Sequence, residues 1–317
     1  MKFEPNKTRR TSIPKDVSFF DQAREGLVVA HHGVSVEVLF DGGERRMVRV
    51  KRNSGHVVGD DVLVTGEVMN RQSRRTELRR RDARGGIHLV AANLDVLGIV
   101  VAPQSPSGFV DRAIVAARAA DLRPFVVVNK CDLEGTTELL ACISSTYAES
   151  VPIFPVSSVK RTGLTPLQEF LSEGHRGAFV GTTGVGKSSL LNALCPDIDL
   201  KVGELSAHKG QGRHTTTVST LHALSGGGEL VDTPGFRDFG LVDISVEDLV
   251  EHFPGFEKHV EVACRFSNCR HRFEPGCAVI GLVKRGFITA ERYTTYMEIL
   301  SEVEVDQAEA RSRGWKN

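Results

Sequence analysis

The stretch GTTGVGKSS, residues 181–189, decides the fold of this chain, because it matches the phosphate-binding pattern G-x-x-x-x-G-K-[ST]. The short apolar stretch GAFVG (177–181) predicts a strand before it, and GKSSLLNALC (186–195) predicts a helix after it. Glycines let backbone N–H groups close around phosphates, and the start of the helix adds its positive dipole end. We therefore expect the whole loop to bind a nucleotide, through Gly181, Thr182, Thr183, Gly184, Val185, Gly186, Lys187, Ser188 and Ser189.

Two of these residues and a second motif form the expected phosphate and magnesium site. Lys187 is expected to reach the β- and γ-phosphates and to act in catalysis, and Ser188 is expected to ligate Mg²⁺. DTPG (232–235) follows the end of another predicted strand. Asp232 would hold the Mg²⁺ shell, commonly through water, and the Gly235 N–H would lie near the γ-phosphate.

The segment GQGRHTTT (210–217) lies between these motifs and has two interpretations. It is either an ordinary threonine-rich loop, or a loop that orders when Thr216 or Thr217 joins Mg²⁺ and the γ-phosphate, with Thr216 then acting in catalysis. The position after DTPG is Phe236, where Ras-like enzymes use a glutamine to orient the attacking water. Hydrolysis is therefore expected to be slow unless His214, the nearest candidate in sequence, assists it, although a loop histidine is more often only solvated.

A base-binding motif, NKCD (129–132), ends the predicted strand PFVVVNK (124–130). Asp132 can accept hydrogen bonds from N1–H and the 2-amino group of guanine, and adenine lacks that pair of donors. A buried carboxylate without partners is costly, so the motif favours GTP over ATP. The expected base-site residues are Asn129, Lys130, Cys131 and Asp132, with Ser157 and Ser158 at the end of the next predicted strand.

The order of these motifs is inverted relative to ordinary GTPases, in which the phosphate loop comes first. Here NKCD (129–132) and Ser157-Ser158 precede the phosphate loop and DTPG (232–235). A circular permutation would preserve the three-dimensional set. It would also place the segment after Gly240 directly behind a nucleotide-sensitive region, so we expect that segment to act as an output device.

A Cys/His cluster follows in CRFSNCRHRFEPGC (264–277), with the spacing C-x₄-C-x-H-x₅-C. Three thiolates and one imidazole are the ligand set of a closed, structural zinc site, formed by Cys264, Cys269, His271 and Cys277. The alternative is three buried free cysteines beside a surface histidine. The arginines and phenylalanines around the cluster could face RNA, or could be the outside and packing side of a zinc knuckle.

The pattern of hydrophobic and polar residues divides the rest of the chain into predicted domains. Short alternating strands separated by turns predict a small β-barrel or sandwich, and later strand–helix alternation predicts a parallel sheet covered on both faces. The fold class is therefore α/β, a permuted P-loop GTPase with an N-terminal barrel and a C-terminal helical part. The predicted segments are a flexible N-terminus (1–24), the barrel (25–70), a basic linker with seven arginines (71–86), the GTPase domain (87–242) and the zinc-binding helical domain with its tail (243–317).

Composition excludes several classes of protein. Charged residues make up 25% and hydrophobic residues 40% of the 317 residues, which fits a globular chain. A run of about 18 apolar residues, as a membrane helix needs, is absent, and the N-terminus lacks the pattern of a secretory signal, so we expect a cytoplasmic protein. Although the net charge is zero, residues 1–84 contain 18 basic and 12 acidic side chains, so this part could attract a polyanion.

Together these motifs resemble the RsgA/YjeQ family of circularly permuted GTPases that act in assembly of the small ribosomal subunit. The resemblance spans roughly residues 25–300 and also includes AANLD (91–95). It implies that the barrel is an OB-fold, that the protein binds the 30S subunit and its 16S rRNA, and that subunit contact stimulates hydrolysis of GTP to GDP and drives release. It also implies a role for His214 in hydrolysis. Neither DNA nor a membrane is an expected partner, and we expect a monomer.

Two other functions stay open from the sequence. One is a permuted GTPase acting on the large subunit, which the barrel-like strands and the Cys/His cluster disfavour. The other is an RNA-binding zinc protein that uses GTP only as a structural ligand, which Phe236 keeps possible.

Overall fold

The computed structural model describes residues 23–81, 86–195, 218–233, 241–256 and 264–314. The candidate residues His214, Thr216, Thr217 and Gly235 lie outside these ranges, as do Phe236 and nearly all of the segment 1–24. The described residues form one large mixed sheet, one two-stranded sheet and seven helices.

The N-terminal domain consists of five antiparallel strands: β1 (Arg24–His31), β2 (Ser35–Phe40), β3 (Arg45–Arg49), β4 (Asp61–Thr65) and β5 (Val68–Arg71). They pair in the order β3-β2-β1-β4-β5. Alternate residues of β2 are buried, as its period-2 pattern predicts, and they join an apolar core made of Val28, Val36, Val38, Phe40, Val48, Val62 and Val64. The strand-rich N-terminal domain expected from the sequence is confirmed.

The expected basic linker, residues 71–86, contains a strand within its described residues 71–81. Residues Glu77–Arg81 form β6, which pairs antiparallel with β7 (Ile87–Ala92). The Arg74 side chain is only 9% exposed, and its guanidinium donates to both carboxylate oxygens of Asp60, at 2.6 and 2.9 Å. Because this arginine is neutralised by a carboxylate of the N-terminal domain, it is folded against that domain and not solvated.

A parallel sheet forms the centre of the molecule. Its parallel strands are β8 (Val96–Val101), β9 (Arg123–Val128), β10 (Ile153–Pro155), β11 (Arg176–Val180) and β13 (Glu229–Asp232), and β12 (Ser219–Ala223) pairs antiparallel with β13. The strand order is β10-β9-β8-β11-β13-β12. Every residue of β8 is buried, as expected for a sheet covered on both faces.

Four helices cover this sheet: α1 (Phe109–Ala119), α2 (Thr136–Tyr147), α3 (Leu164–Ser172) and α4 (Lys187–Leu194). Apolar residues of α1 and α2, such as Ile114 and Ile143, pack into one core. Apolar residues of α3 and α4, such as Leu167 and Leu190, pack into a second core that includes Phe125 of β9. The α/β class predicted from strand–helix alternation is confirmed.

The AANLD motif lies where the N-terminal domain meets the central sheet. Asn93 is buried in a left-handed conformation, and its side-chain amide donates to the Gly59 carbonyl at 2.9 Å and to the Asp61 carboxylate at 3.1 Å. A Cβ on Gly59 would lie 2.0 Å from the carbonyl oxygen of Ala92, so only glycine permits this close approach. The motif therefore fixes the two domains against each other.

The two domains also share a sheet. β1 pairs antiparallel with β12 through Ala30 opposite Thr220 and His31 opposite Ser219. A continuous hydrogen-bonded path therefore runs from β10 across the central sheet to β3.

The described residues of the C-terminal part form α5 (Val246–His252), α6 (Ala278–Lys284) and α7 (Ala290–Gly314). Helix α1 packs against both α5 and α7, and a buried ion pair joins Asp111 of α1 to Arg292 of α7. Among the described residues, none of the helices combines the length and apolar character needed to cross a membrane.

Candidate nucleotide site and metal centre

The phosphate loop connects the end of β11 to the start of α4, as the motif predicts. Gly184 and Gly186 have φ angles of +87° and +94°, and Gly186 caps the helix. A Cβ on Gly181 would lie 2.5 Å from the carbonyl oxygen of Val100, and one on Gly186 would lie 2.5 Å from Nδ2 of Asn129. Both positions need glycine, because neighbouring segments approach the loop backbone closely.

Lys187 lies across the phosphate loop. Its ammonium group donates to the carbonyl oxygens of Gly181 at 2.5 Å and Thr182 at 3.2 Å. These contacts keep the positive charge beside the loop and next to the partly buried hydroxyl-bearing residue Ser188. The loop thus combines a fixed cation with the N-terminal end of a helix, which is an arrangement suited to phosphate.

Asn129 joins three of the predicted segments. It follows β9, is fully buried, and donates from Nδ2 to the carbonyl oxygen of Val185 at 2.8 Å. Its Oδ1 accepts from the backbone N–H of Ser158 at 3.1 Å. The base motif, the serine pair and the phosphate loop are therefore brought together at the carboxyl edge of the sheet, where ligands bind in open α/β sheets.

The exposed carboxylate of Asp132 is held by Ser157, whose hydroxyl donates to it at 2.5 Å. That hydrogen bond lowers the pKa of Asp132, so the side chain is an acceptor at neutral pH. Lys130 adopts a left-handed backbone conformation with φ of +65°, and its carbonyl accepts from the Thr136 hydroxyl at 2.8 Å. The Cys131 N–H donates to the carbonyl of Val156 at 3.0 Å. The loop is thus fixed with its carboxylate available to a ligand.

Asp232 ends β13, two strands away from β8 and directly beside β11. Burial raises the pKa of its carboxyl group, and the charge of Lys187 opposes that rise. Because β13 pairs with β11, which leads into the phosphate loop, Asp232 ends its strand at the edge of the sheet where that loop begins. The remaining predicted residues of this part, His214, Thr216, Thr217 and Gly235, are outside the described residues.

One residue that the sequence motifs do not mark also contacts the phosphate loop. Gln104, in the loop after β8, donates from Nε2 to the carbonyl oxygen of Gly184 at 3.0 Å. No pattern in PQSP (103–106) signals this contact. The one available signal is that neighbouring parallel strands end at the same edge of a sheet, which places the loop after β8 beside the loop after β11.

The Cys/His cluster is assembled as its spacing predicts. The donor atoms of Cys264, Cys269, His271 and Cys277 all lie within 4.8 Å of one another. Nδ1 of His271 is 3.5 Å from Sγ of Cys264 and 3.4 Å from Sγ of Cys277, and those two sulfurs are 4.0 Å apart. A tetrahedral zinc ion with ordinary Zn–S and Zn–N bonds would set these separations at about 3.5–3.8 Å, so the donor set fits zinc.

The surroundings of the cluster suit thiolates bound to a cation. The backbone N–H of Ala278 donates to Sγ of Cys264 at 3.3 Å, and that of Ile280 donates to Sγ of Cys277 at 3.5 Å. Burial raises the pKa of Cys269 to about 12 and also raises that of Cys277. A metal ion would offset the negative charge that burial disfavours, and would hold the thiols deprotonated.

Glu274 fixes the loop between two of the ligands. Its carboxylate accepts from the backbone N–H groups of Arg270 at 2.8 Å, Arg272 at 2.8 Å and Phe273 at 3.1 Å. Desolvation alone would raise its pKa, but the hydrogen bonds from these N–H groups lower the pKa of Glu274 to about 2. The loop is therefore shaped by a single ionised side chain that lies beside His271.

Comparison with known proteins agrees with this geometry. Residues 71–242 match the RsgA GTPase family. The chain is 39% identical over 294 residues to the small ribosomal subunit biogenesis GTPase RsgA of Pseudomonas fluorescens strain SBW25, covering 88% of this chain and 85% of the relative. The chain belongs to the RsgA GTPase family. The RsgA protein of Azotobacter vinelandii is 38% identical over 296 residues, covering 88% of this chain and 86% of that relative.

Solved structures agree with the RsgA assignment. YjeQ from Thermotoga maritima has a TM-score of 0.72 and 30% identity, and covers 89% of this chain and 99% of that chain. YloQ, described as a circularly permuted GTPase, has a TM-score of 0.68 and 26% identity, with 91% and 97% covered. The permuted order predicted from the motifs is thus confirmed, and RsgA proteins are GTP hydrolases.

Proposed function

We propose that this RsgA-family protein is a GTP-hydrolysing factor that acts in late assembly of the small ribosomal subunit. It would bind the 30S particle through 16S rRNA in its GTP form, and contact with the subunit would stimulate hydrolysis and release. The observation that carries the proposal is the position of Asn129, which joins the base motif, Ser158 and Val185 of the phosphate loop in one site. That arrangement can bind a guanine base and phosphates at the same time.

The residue roles follow from the site. Asp132 would accept from guanine, and Lys187 and the loop N–H groups would hold the phosphates. Ser188 and Asp232 would hold Mg²⁺, which supplies charge neutralisation between the phosphates. The half-buried position of Asp232 at the end of β13, the strand next to β11, supports this assignment.

The zinc assignment rests on the donor set of the Cys/His cluster. Three thiols and one imidazole, whose donor atoms lie within 4.8 Å of one another, would fill a tetrahedral shell and leave no position open for a reacting water, so the metal would be structural. The predicted domains, monomeric state, cytoplasmic location and assisting role of His214 and Thr216 are parts of the same proposal. They rest on the sequence patterns of the chain and on its resemblance to the RsgA family.

The test is GTP turnover by the purified protein alone, with small subunits, and with large subunits. We expect a rise of about tenfold or more with small subunits, which corresponds to about 1.4 kcal/mol of barrier. The Lys187→Ala variant should lose turnover under every condition. Stimulation by large subunits only, or no stimulation by either particle, would overturn the proposed partner.

A further inference from the structure

The loop after β8 lies beside the phosphate loop because β8 and β11 are neighbours in the sheet. From this loop, Nε2 of Gln104 donates to the carbonyl oxygen of Gly184 at 3.0 Å. From the loop after β9, Nδ2 of Asn129 donates to the carbonyl oxygen of Val185 at 2.8 Å. Two side-chain amides from two different loops therefore hold two consecutive carbonyl groups of the phosphate loop.

Because the peptide bond is planar, a contact that holds a carbonyl group also orients the N–H group of the following residue. In a trans peptide, the carbonyl of one residue and the N–H of the next point in opposite directions. Holding the carbonyls of Gly184 and Val185 therefore directs the N–H groups of Val185 and Gly186 away from Gln104 and Asn129. Within the described part of the chain, neither N–H donates to a backbone carbonyl, so both are available to a ligand.

Gln104 is held in place at both ends of its loop. The Ser105 hydroxyl accepts from the N–H of Ala102 at 3.0 Å, and the N–H of Ser105 donates to the carbonyl of Ala102 at 2.8 Å, which closes a tight turn. Farther along, the Ser107 hydroxyl donates to the carboxylate of Glu291 on α7. A braced loop is what a side chain needs if it is to orient another backbone.

We propose that Gln104 is a positioning residue for the phosphate loop, which holds the Gly184–Val185 peptide so that the Val185 N–H faces the phosphates of a bound guanine nucleotide. Asn129 likewise donates to the carbonyl of the next peptide, Val185–Gly186. The inference rests on the proposed nucleotide site, and it adds a residue that lies 80 positions away from Gly184 in the sequence.

The test compares Gln104→Ala and Gln104→Glu with a matched control, Gln168→Ala, which makes the same change on an exposed position of α3. Binding of GDP and of a non-hydrolysable GTP analogue is measured by titration, and binding of guanosine by competition against a fluorescent GDP. We expect Gln104→Ala to weaken GDP and GTP-analogue binding about 2- to 10-fold, which is the range of one net hydrogen bond. Guanosine has no phosphate, so its affinity should stay within about twofold of the wild type.

The Gln104→Glu variant keeps the size of the side chain but removes its hydrogen bond to the Gly184 carbonyl. A carboxylate cannot donate to the Gly184 carbonyl and repels phosphates, so Gln104→Glu should bind GDP more weakly than Gln104→Ala does. Unchanged GDP binding in Gln104→Ala, or an equal loss for guanosine and GDP, would overturn the inference. Failure of the wild-type protein to bind GDP would instead overturn the proposed function on which the inference rests.

Discussion

Removing one partner of the buried ion pair between Asp111 and Arg292 is expected to destabilise the docking of the C-terminal helices strongly. The two side chains are only 1% and 10% exposed. Nε and Nη2 of Arg292 donate to Oδ1 of Asp111 at 3.0 and 2.7 Å, and Nη2 also donates to the carbonyl oxygen of Pro254. Either single substitution would leave a buried charge without its partner.

The expected magnitude follows from that burial. Losing one member of a buried pair typically costs about 3–5 kcal/mol, because the other charge stays desolvated. Replacing both members with apolar residues removes the unpaired charge, and is often neutral. The Arg292 guanidinium lies 5.0 Å from the ring centre of Tyr147 and 5.4 Å from that of Phe253. Methionine keeps much of this apolar contact, so it is the substitution of choice there.

The assay is urea denaturation followed by circular dichroism for Asp111→Leu, Arg292→Met and the double variant. A matched control exists on the same two helices, since Arg112 and Glu302 form a part-exposed pair at 2.5 Å with side chains 30% and 36% exposed. Arg112→Met should cost less than about 1 kcal/mol. Two results would refute this expectation. One is that Asp111→Leu lowers the free energy of unfolding no more than Arg112→Met does. The other is that the double variant lowers it by the sum of the two single-variant losses.

Three further outcomes are expected. Gly186→Ala should lower GDP affinity at least about tenfold in a calorimetric titration, since the new Cβ would lie 2.5 Å from Nδ2 of Asn129 at a φ of +94°. Asp132→Asn should move base preference from GTP toward XTP about tenfold or more, because an amide N–H can donate to the xanthine 2-carbonyl. Removing metal with a chelator, or the Cys269→Ser substitution, should lower helical content and zinc measured by mass spectrometry.

Two of these outcomes have a matched control variant. Gly281→Ala tests the same change at a position where a new Cβ meets nothing within 4 Å, and should leave GDP binding unchanged. Cys142→Ser removes an exposed cysteine outside the cluster and should retain zinc. Equal effects in a variant and its control, or an Asp132→Asn protein that still prefers GTP, would contradict the assigned roles.

The nucleotide site was predictable from sequence to the extent that it uses residue types with special backbone or charge properties. Gly181 and Gly186 are marked by their pattern because no other residue fits where Val100 and Asn129 approach. Gln104 was not predictable, because a glutamine that donates one hydrogen bond across two loops has no local signature. Its partner, Gly184, lies in the loop after β11, and only the pairing of β8 with β11 brings the two loops together.

The segment 71–86 illustrates a second limit of sequence reasoning. Its seven arginines are typical of a solvated or polyanion-binding linker. Charge alone does not say which arginine meets a buried carboxylate, and Arg74 does so through Asp60, 14 residues earlier in the chain. The AANLD motif also depends on a contact that its sequence does not reveal. The side-chain amide of Asn93 donates to the carbonyl of Gly59 and joins the N-terminal domain to the central sheet.

The pairing of β1 with β12 has a consequence for the colloidal behaviour of the protein. A sheet edge with unpaired N–H and C=O groups can recruit strands from other molecules. At one end, β10 is only three residues long and ends in Pro155, which limits such recruitment. At the other end, β12 is covered by β1 through Ala30 and His31. Cutting off the N-terminal strands would uncover β12, so the central domain alone would be prone to self-association through that edge.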